Sequence, residues 1–74
     1  MKILITGSNG FLGSNLAHFF SDKGEYEVFI TSRGPCYNPE LDNFVEGDLL
    51  DNIFVDKLIS TVMPDIVINT VSLV

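Results

Sequence analysis

The sequence predicts an open α/β sheet of parallel strands with helices on both of its faces. Short apolar runs bounded by turn residues are typical of strands that are buried in a parallel sheet. Two longer segments lie between these runs, and their apolar residues recur at helical spacing. A glycine-rich turn also joins the first apolar run directly to the first helical segment. This alternation favours parallel strands with right-handed helical crossovers.

The chain is short and acidic. Its 74 residues are about half of an ordinary domain of ~150 residues, so we expect a single, partial domain. A hydrophobic content of 46% with 19% charged residues indicates a packed core rather than a disordered segment. The net charge of −6 disfavours nucleic acid and anionic membranes as partners. A small anionic ligand remains compatible, because a helix N-terminus binds phosphate regardless of net charge.

Cysteine and histidine are too few for disulfide or metal chemistry. Cys36 is the single cysteine and His18 the single histidine, so neither an intrachain disulfide nor a Cys-rich metal cluster is expected. The opening apolar run is too short for a signal peptide or a membrane span. We therefore expect a cytoplasmic protein without a metal site.

The N-terminal half is predicted to contain a strand, a helix and a second strand. Ile3–Ile5 is a continuous apolar run that predicts the first strand. The helix is predicted from Phe11 to Lys23, and Gly24 suits the left-handed residue that ends a helix. Its predicted core-facing residues are Phe11, Leu12, Leu16, Phe19 and Phe20. Val28–Ile30 is rich in β-branched and aromatic residues and predicts the second strand.

The C-terminal half repeats this alternation. Asn43–Glu46 predicts a brief third strand, and a second helix is predicted after Asp51, with Pro64 as its stop signal. The apolar residues at helical spacing are Phe54, Val55, Leu58, Ile59 and Val62. Ile66–Val71 is apolar without alternation, which predicts a fourth strand covered on both faces. One edge of this strand is expected to stay open, and an open apolar edge favours self-association.

The turn after the first strand is the first candidate site. Ligands of open α/β sheets bind at the carboxyl ends of the strands, and Gly7, Gly10 and Gly13 lie in the turn that follows the first strand. Glycines permit a tight turn and a close approach of the backbone to a diphosphate, and the free amides at the helix start face that anion. A P-loop is disfavoured because no Gly-Lys-Ser/Thr follows. The alternative is a purely structural glycine-rich turn.

Three segments resemble one family. Thr6-Gly7-x-x-Gly10-x-x-Gly13 resembles the start of extended short-chain dehydrogenases/reductases, which are also known as the NAD-dependent epimerase/dehydratase family. Gly47-Asp48-Leu49-Leu50-Asp51 is similar to a Gly-Asp-Leu-x-Asp segment of that family. Met63-Pro64-Asp65-Ile66-Val67-Ile68-Asn69-Thr70 is similar to a stretch of its dTDP-4-dehydrorhamnose reductase branch. The resemblance covers nearly all of the chain.

The resemblance implies a fold and a function. The fold would be the N-terminal half of a Rossmann-type, doubly wound parallel sheet, with four strands in the order 3-2-1-4 and two main helices. The function would be NAD(P) binding within a nucleotide-sugar oxidoreductase or epimerase that transfers a hydride at a sugar carbon. The catalytic and substrate-binding parts of such an enzyme would lie C-terminal to residues 1–74.

The resemblance also implies roles for particular residues. The diphosphate would be held by Gly7, Gly10, Gly13 and the amides of Asn9, Phe11 and Leu12. Asp48 would contact the adenine together with Leu49, although a cap for the second helix is an alternative role for Asp48. Asn69, Thr70 and Val71 would lie beside the cofactor at the end of the fourth strand. For Asn69 and Thr70, the alternative is that they only satisfy neighbouring backbone groups.

Cofactor preference is expected to depend on the residues after the second strand. A carboxylate there would accept hydrogen bonds from the ribose hydroxyls, whereas a cation would hold a 2′-phosphate. The candidates at this corner are Thr31, Ser32 and Arg33. None of them is acidic and Arg33 could pair with a phosphate, so NADP(H) is predicted over NAD(H). Glu27 precedes the predicted strand and is therefore discounted. The alternative for Arg33 is a solvated loop charge.

The catalytic pair of the family is not in this sequence. The family uses a tyrosine with a lysine four residues later, but Ile30 follows Tyr26 at that spacing and Leu41 follows Tyr37. We therefore expect no turnover by these 74 residues alone. The alternative function is a non-catalytic dinucleotide-binding or regulatory module of the same fold.

Overall fold

The computed structural model describes residues 1–36, 41 and 43–71. Its elements in chain order are β1 (Lys2–Thr6), α1 (Phe11–Lys23), β2 (Glu27–Ser32), β3 (Phe44–Glu46), α2 (Asn52–Val62) and β4 (Ile66–Asn69). The four strands form one parallel sheet in the order β3-β2-β1-β4. This order confirms the predicted α/β class and topology. Tyr37, one of the two tyrosines considered for the catalytic pair, lies outside the described residues.

Strand β1 is the centre of the core. Ile3, Leu4 and Ile5 are at most 1% exposed, because β1 pairs with β2 on one side and with β4 on the other. Alternate residues of a strand point to opposite faces. Ile3 and Ile5 pack with Ala17 of α1, whereas Leu4 packs with Leu58 of α2. The two helices therefore cover opposite faces of the sheet.

Helix α1 has the predicted bounds, but it packs through a different face. Its buried residues are Gly13 and Ala17, whereas three of the five residues predicted to face the core are exposed. They are Phe11 (87%), Leu12 (59%) and Phe19 (54%). The small residues at positions 13 and 17 let the helix approach β1 closely, which fixes its rotation and turns the larger side chains outward. Only Leu16 and Phe20 of the predicted face pack against the core.

Helix α2 begins and ends as the sequence suggests. Asp51 is its N-cap, and Asp51 Oδ1 accepts hydrogen bonds from the amides of Ile53 (3.0 Å) and Phe54 (3.3 Å). The helix ends at Met63, which is in the left-handed conformation with φ of 49°. The prediction that Asp48 is an alternative cap for this helix is wrong. Asp48 lies before the turn that leads into Asp51, and it bonds the amide of Leu50 instead.

Strand β4 is shorter and more exposed than predicted. It ends at Asn69 rather than Val71, and Ile66 and Val67 are 39% and 50% exposed. The prediction that both of its faces are covered is wrong: Ile68 packs against the core on the α1 side, whereas Ile66 and Val67 stay exposed. Its position at the edge of the sheet agrees with the expected open edge. Among the described residues, no helix is long and apolar enough to cross a membrane.

Candidate functional site

The carboxyl ends of the strands meet at one cavity. The parallel register aligns Thr6 with Thr31 on one side and with Asn69 on the other. The loops that follow these residues surround a cavity of about 520 Å³, a size within the usual range for a small-molecule site. It is lined by Gly7, Gly10, Thr31, Ser32, Arg33, Gly47, Asp48, Leu49, Leu50, Asn69, Thr70 and Val71.

The glycine-rich turn follows β1 and forms part of the cavity lining. Gly7 has φ of 72°, a conformation that is costly for residues with a side chain. The amide of Gly10 donates to the carbonyl of Gly7 at 3.0 Å and closes the turn. A Cβ on Gly13 would collide with the same carbonyl. The turn therefore needs glycine at position 7 for its backbone conformation. It needs glycine at position 13 because the helix packs closely against the turn.

The start of α1 is open to an anion. Its N-cap is Gly10, which has no side chain to accept the first helical amides, and its first turn contains no acidic residue. The first amides of an α-helix have no carbonyl acceptor within the helix, and here these are the amides of Phe11, Leu12 and Gly13. In α2, by contrast, Asp51 satisfies such amides. Free amides and the positive end of the helix dipole together suit a phosphate group.

Thr70 and Asn69 hold the end of β4 against the glycine turn. Thr70 Oγ1 donates to the carbonyl of Thr6 at 2.6 Å and to that of Gly7 at 3.3 Å. Asn69 Oδ1 accepts from Thr6 Oγ1 at 2.6 Å and from the amide of Val71 at 3.0 Å. The alternative role, in which Asn69 and Thr70 satisfy neighbouring polar groups, is therefore seen in the structure, and both residues also line the cavity.

Two charged residues face each other among those that line the cavity. Arg33 Nε lies 4.0 Å from Asp48 Oδ2, with side-chain exposures of 78% and 45%. Asp48 is held in place because its Oδ1 accepts from the amide of Leu50 at 2.9 Å. Leu49 packs against the core on the α2 side and also lines the cavity. This part of the site therefore combines an exposed cation with a positioned carboxylate.

Asn9 connects the glycine turn to the loop after β2. Its Nδ2 donates to Ser32 Oγ at 2.8 Å and to the carbonyl of Pro35 at 2.8 Å. Glu27 lies at the opposite end of β2, where it pairs with Lys2. Glu27 is the first residue of β2 rather than a residue before it, but it lies at the amino edge of the sheet, away from the cavity, as predicted.

Most of the predicted site residues lie around the cavity. Those that line it are Gly7, Gly10, Ser32, Arg33, Asp48, Leu49, Asn69, Thr70 and Val71. Those that do not are Asn9, Phe11, Leu12 and Gly13, although all four lie in the turn or in the first turn of α1. In the part of the chain that the structure describes, no group of three or more His, Cys, Asp or Glu side chains could hold a metal ion.

Three further residues line the cavity. Thr31 was a candidate for the corner that sets cofactor preference, whereas Gly47 and Leu50 were not predicted as site residues. Thr31 is 1% exposed and bonds the carbonyl of Val45 at 2.7 Å, so its side chain joins β2 to β3. Gly47 follows β3, and a Cβ there would collide with the ring of Phe54. Leu50 lies 73% exposed at the rim. A signal for all three was their position directly at or after a strand end, where parallel sheets bind ligands.

Curated proteins similar to this chain include several with sugar-related names. CDP-paratose 2-epimerase of Salmonella typhi is 43% identical over 74 aligned positions, which cover 88% of this chain and 22% of that protein. A low-salt glycan biosynthesis protein of Haloferax volcanii is 32% identical and covers 93% of this chain and 25% of its own length. The chain therefore spans about a quarter of the length of these relatives.

Solved structures show the same architecture. The dTDP-glucose 4,6-dehydratase of Bacillus anthracis, solved in complex with NAD, matches 99% of this chain and 27% of its own with a TM-score of 0.80 and 21% identity. At that identity the likeness shows the fold alone. L-threonine dehydrogenase of Clostridium difficile matches 99% of this chain and 24% of its own with a TM-score of 0.82 and 30% identity.

A family model covers nearly the whole chain. The model of the NAD dependent epimerase/dehydratase family matches residues 3–74, which include the glycine turn, the Asp48 loop and the end of β4. The match agrees with the observed strand order and with the cavity at the carboxyl edge. By this match, the chain belongs to the NAD-dependent epimerase/dehydratase family.

Proposed function

We propose that this chain is the NADP(H)-binding portion of an oxidoreductase that acts on nucleotide sugars. The observation that carries the proposal is one continuous cavity of about 520 Å³, which runs from the glycine turn to Arg33 and Asp48. A dinucleotide needs an anion site for its diphosphate and a separate pocket for each nucleoside. In this proposal, the glycine turn, the Asp48 loop and the end of β4 supply these three parts.

The diphosphate part of the proposal rests on the open start of α1. The amides of Asn9, Phe11 and Leu12 belong to the turn and the first helical residues, and no capping side chain competes for the helix start. Gly7 and Gly10 line the cavity, so the backbone itself forms this wall. The Cβ of a side chain at position 7 would lie 2.6 Å from Thr70 Oγ1, so this position cannot carry a side chain without a shift of its neighbours.

The preference for NADP(H) rests on Arg33. Its side chain is 78% exposed beside the cavity, where a guanidinium can pair with a 2′-phosphate. Ser32 and Arg33 occupy the end of β2 and the position after it, and neither is a carboxylate that would receive both ribose hydroxyls. Asp48 belongs to the loop after β3 and is assigned to the adenine, together with Leu49.

The nucleotide-sugar part of the proposal rests on the relatives. CDP-paratose 2-epimerase and, over 29 aligned residues at 55% identity, GDP-6-deoxy-D-talose 4-dehydrogenase of Aggregatibacter actinomycetemcomitans are named for nucleotide-sugar substrates. A reductase of the dTDP-4-dehydrorhamnose type is the narrower prediction, which rests on the segment from Met63 to Thr70. L-threonine dehydrogenase shares the fold, so the substrate class must be tested separately from the cofactor.

The proposed reaction divides between this chain and further residues. A bound nicotinamide supplies or accepts the hydride at a sugar carbon. The residues of this chain bind and orient the cofactor along the strand ends. The sequence contains no Tyr-x-x-x-Lys, so we propose that these 74 residues bind the cofactor without catalysing turnover.

Calorimetric titration with NADPH and NADH tests the proposal. We expect both to bind, with NADPH the tighter, and Arg33→Ala to weaken NADPH by about tenfold because a charge-assisted hydrogen bond is lost, while NADH changes little. Lys57→Ala is the matched control, since it removes an exposed positive charge from α2, outside the cavity lining. Failure of both nucleotides to bind would refute the binding function. Equal binding of NADH, or no loss with Arg33→Ala, would refute only the NADP(H) preference.

A further inference from the structure

The loop that carries Arg33 is fixed from two directions. On one side, Asn9 Nδ2 donates to Ser32 Oγ at 2.8 Å and to the carbonyl of Pro35 at 2.8 Å. On the other side, the amide of Gly47 donates to the carbonyl of Ser32 at 2.9 Å. Ser32 immediately precedes Arg33 and Pro35 follows it by two residues. The Asn9 amide therefore contacts this loop on both sides of Arg33, through the Ser32 side chain and the Pro35 carbonyl.

The contacts of Asn9 span two parts of the proposed site. Its backbone belongs to the glycine turn, and its side chain reaches the loop after β2, 23 and 26 residues away in sequence. The neighbouring Ser8 reinforces the junction, because its amide donates to the carbonyl of Thr31 at 3.2 Å. Ser8 and Thr31 are at most 1% exposed, so the junction is anchored in the core. Asn9 itself does not line the cavity.

We infer that Asn9 is a positioning residue for cofactor choice, which holds the Arg33 loop at a fixed distance from the diphosphate-binding turn. The inference rests on the proposed function, because it assigns Arg33 to the 2′-phosphate. Within one NADP(H) molecule, the diphosphate and the 2′-phosphate are attached to the same ribose, which limits the distance between them. A site that binds both phosphate groups therefore has a higher affinity when its two binding loops are already joined to each other in the free protein.

The chemistry of asparagine suits this role. An amide NH₂ has two donors, and here both acceptors lie within 2.8 Å of the one nitrogen. The exposed side chain of Arg33 loses conformational entropy when it binds the phosphate. A mobile loop backbone would increase this entropy loss. NADH lacks that phosphate, so we expect its binding not to depend on Arg33. The effect of Asn9 should thus fall on NADPH.

Asn9→Ala in the 74-residue chain tests the inference by titration with NADPH and NADH. The variant keeps the backbone amide and removes both bridging donors. We expect NADPH affinity to fall by about three- to tenfold and NADH affinity to change by less than about twofold, as for coupled neighbouring groups. Asn15→Ala is the matched control, because Asn15 Nδ2 donates to the carbonyl of Phe11 at 2.8 Å on the exposed side of α1.

A double-mutant cycle separates positioning from direct contact. In the Arg33→Ala background, Asn9→Ala should cost no further NADPH affinity, since the group that Asn9 positions is gone. Asn9→Leu, which keeps a similar size, loses both donors and adds no charge, provides a second variant if Asn9→Ala does not fold. It should lower the NADPH to NADH ratio in the same direction.

The outcomes distinguish this inference from the proposed function. Equal losses for NADPH and NADH would overturn the positioning role while leaving dinucleotide binding intact, because Asn9 would then act on the shared diphosphate. Additive losses in the double mutant would also overturn it. A wild-type chain that binds NADH as tightly as NADPH would remove both the preference and its positioning residue, and a chain that binds neither would refute the function itself.

Discussion

The hydroxyl of Thr70 occupies the space that a side chain on Gly7 would need. Thr70 Oγ1 lies 3.3 Å from the carbonyl oxygen of Gly7, and a Cβ on Gly7 would lie 2.6 Å from the same hydroxyl. The same Oγ1 donates to the carbonyl of Thr6 at 2.6 Å. The turn after β1 therefore lacks a side chain at position 7 because the hydroxyl at the end of β4 fills that space. The two residues are more than 60 positions apart in the sequence.

Removal of the Thr70 hydroxyl tests this arrangement. Thr70→Val keeps the shape of the side chain and removes the donor, and we expect the free energy of unfolding to fall by about 1 kcal/mol. Thr70→Ser keeps the donor and should lose less. Urea denaturation measures the change, with Thr61→Val on the exposed side of α2 as control. An unchanged midpoint for Thr70→Val would contradict a stabilising role for this bond.

The close approach of α1 to the turn makes Gly13→Ala unfavourable. Alanine gains about 1 kcal/mol in helix propensity over glycine, but the added Cβ meets the backbone of Gly7, which cannot move aside cheaply. Overpacking of this kind costs about 1–3 kcal/mol, so we expect net destabilisation and weaker NADPH binding. Gly34→Ala is the control for the stability measurement, because nothing lies within 4 Å of its added Cβ. A stabilised Gly13→Ala variant would show that the helix is not held this closely.

Asp51, rather than Asp48, should stabilise α2. Asp51→Ala removes both capping hydrogen bonds, and the expected loss is about 1 kcal/mol of unfolding free energy. Asp51→Ser should restore most of it, since serine is also a good N-cap. Asp56→Ala, at an exposed position inside the helix, is the comparison and should stay within about 0.5 kcal/mol of wild type. Equal effects at positions 51 and 56 would argue against a specific cap.

Asp48 should oppose the 2′-phosphate that we propose for Arg33. Because Asp48 Oδ2 lies 4.0 Å from Arg33 Nε, a 2′-phosphate paired with Arg33 also meets this carboxylate. Asp48→Asn keeps an oxygen for the amide of Leu50 and removes the charge. We expect the preference for NADPH over NADH to rise about two- to fivefold, the range for an exposed charge pair, and more at low salt.

The control for this variant is Asp56→Asn, which removes one negative charge on the exposed side of α2. A similar rise with Asp56→Asn would assign the effect to net charge rather than to the Arg33 corner. A fall in the NADPH preference with Asp48→Asn would show that the carboxylate positions Arg33 more than it repels the phosphate.

The open edge of β4 should support self-association. Val67 is 50% exposed on β4, and the described part of the chain pairs this strand with β1 alone. We expect sedimentation velocity to show concentration-dependent association of the 74-residue chain, which Val67→Lys reduces because a charge protects an edge strand. Ile53→Lys, at a 79% exposed position of α2, should not reduce it. A wild-type chain that stays monomeric at every concentration would refute this expectation.

The elements and their order could be predicted from the sequence because local patterns carry them. Continuous apolar runs mark β1 and the core of β2, and Gly24 ends α1 in the left-handed conformation. The alternation of strands and helices favours parallel strands, because parallel strands need long connections. The glycine turn was also visible, since its spacing places conformational freedom where a strand meets a helix. These features depend on a few adjacent residues.

The face of α1 and the contacts of the site were decided by tertiary structure. Helical periodicity identified an apolar stripe on α1, but the contact of Gly13 with Gly7 sets the rotation of the helix and leaves Phe11 exposed. The bonds from Asn9 to Ser32 and from Thr70 to Thr6 join residues 23 and 64 positions apart. The sequence by itself determined the strands, the helices and the turn, because their signals are local. Side-chain partners were settled only by the fold, because packing brings distant strand ends to one edge of the sheet.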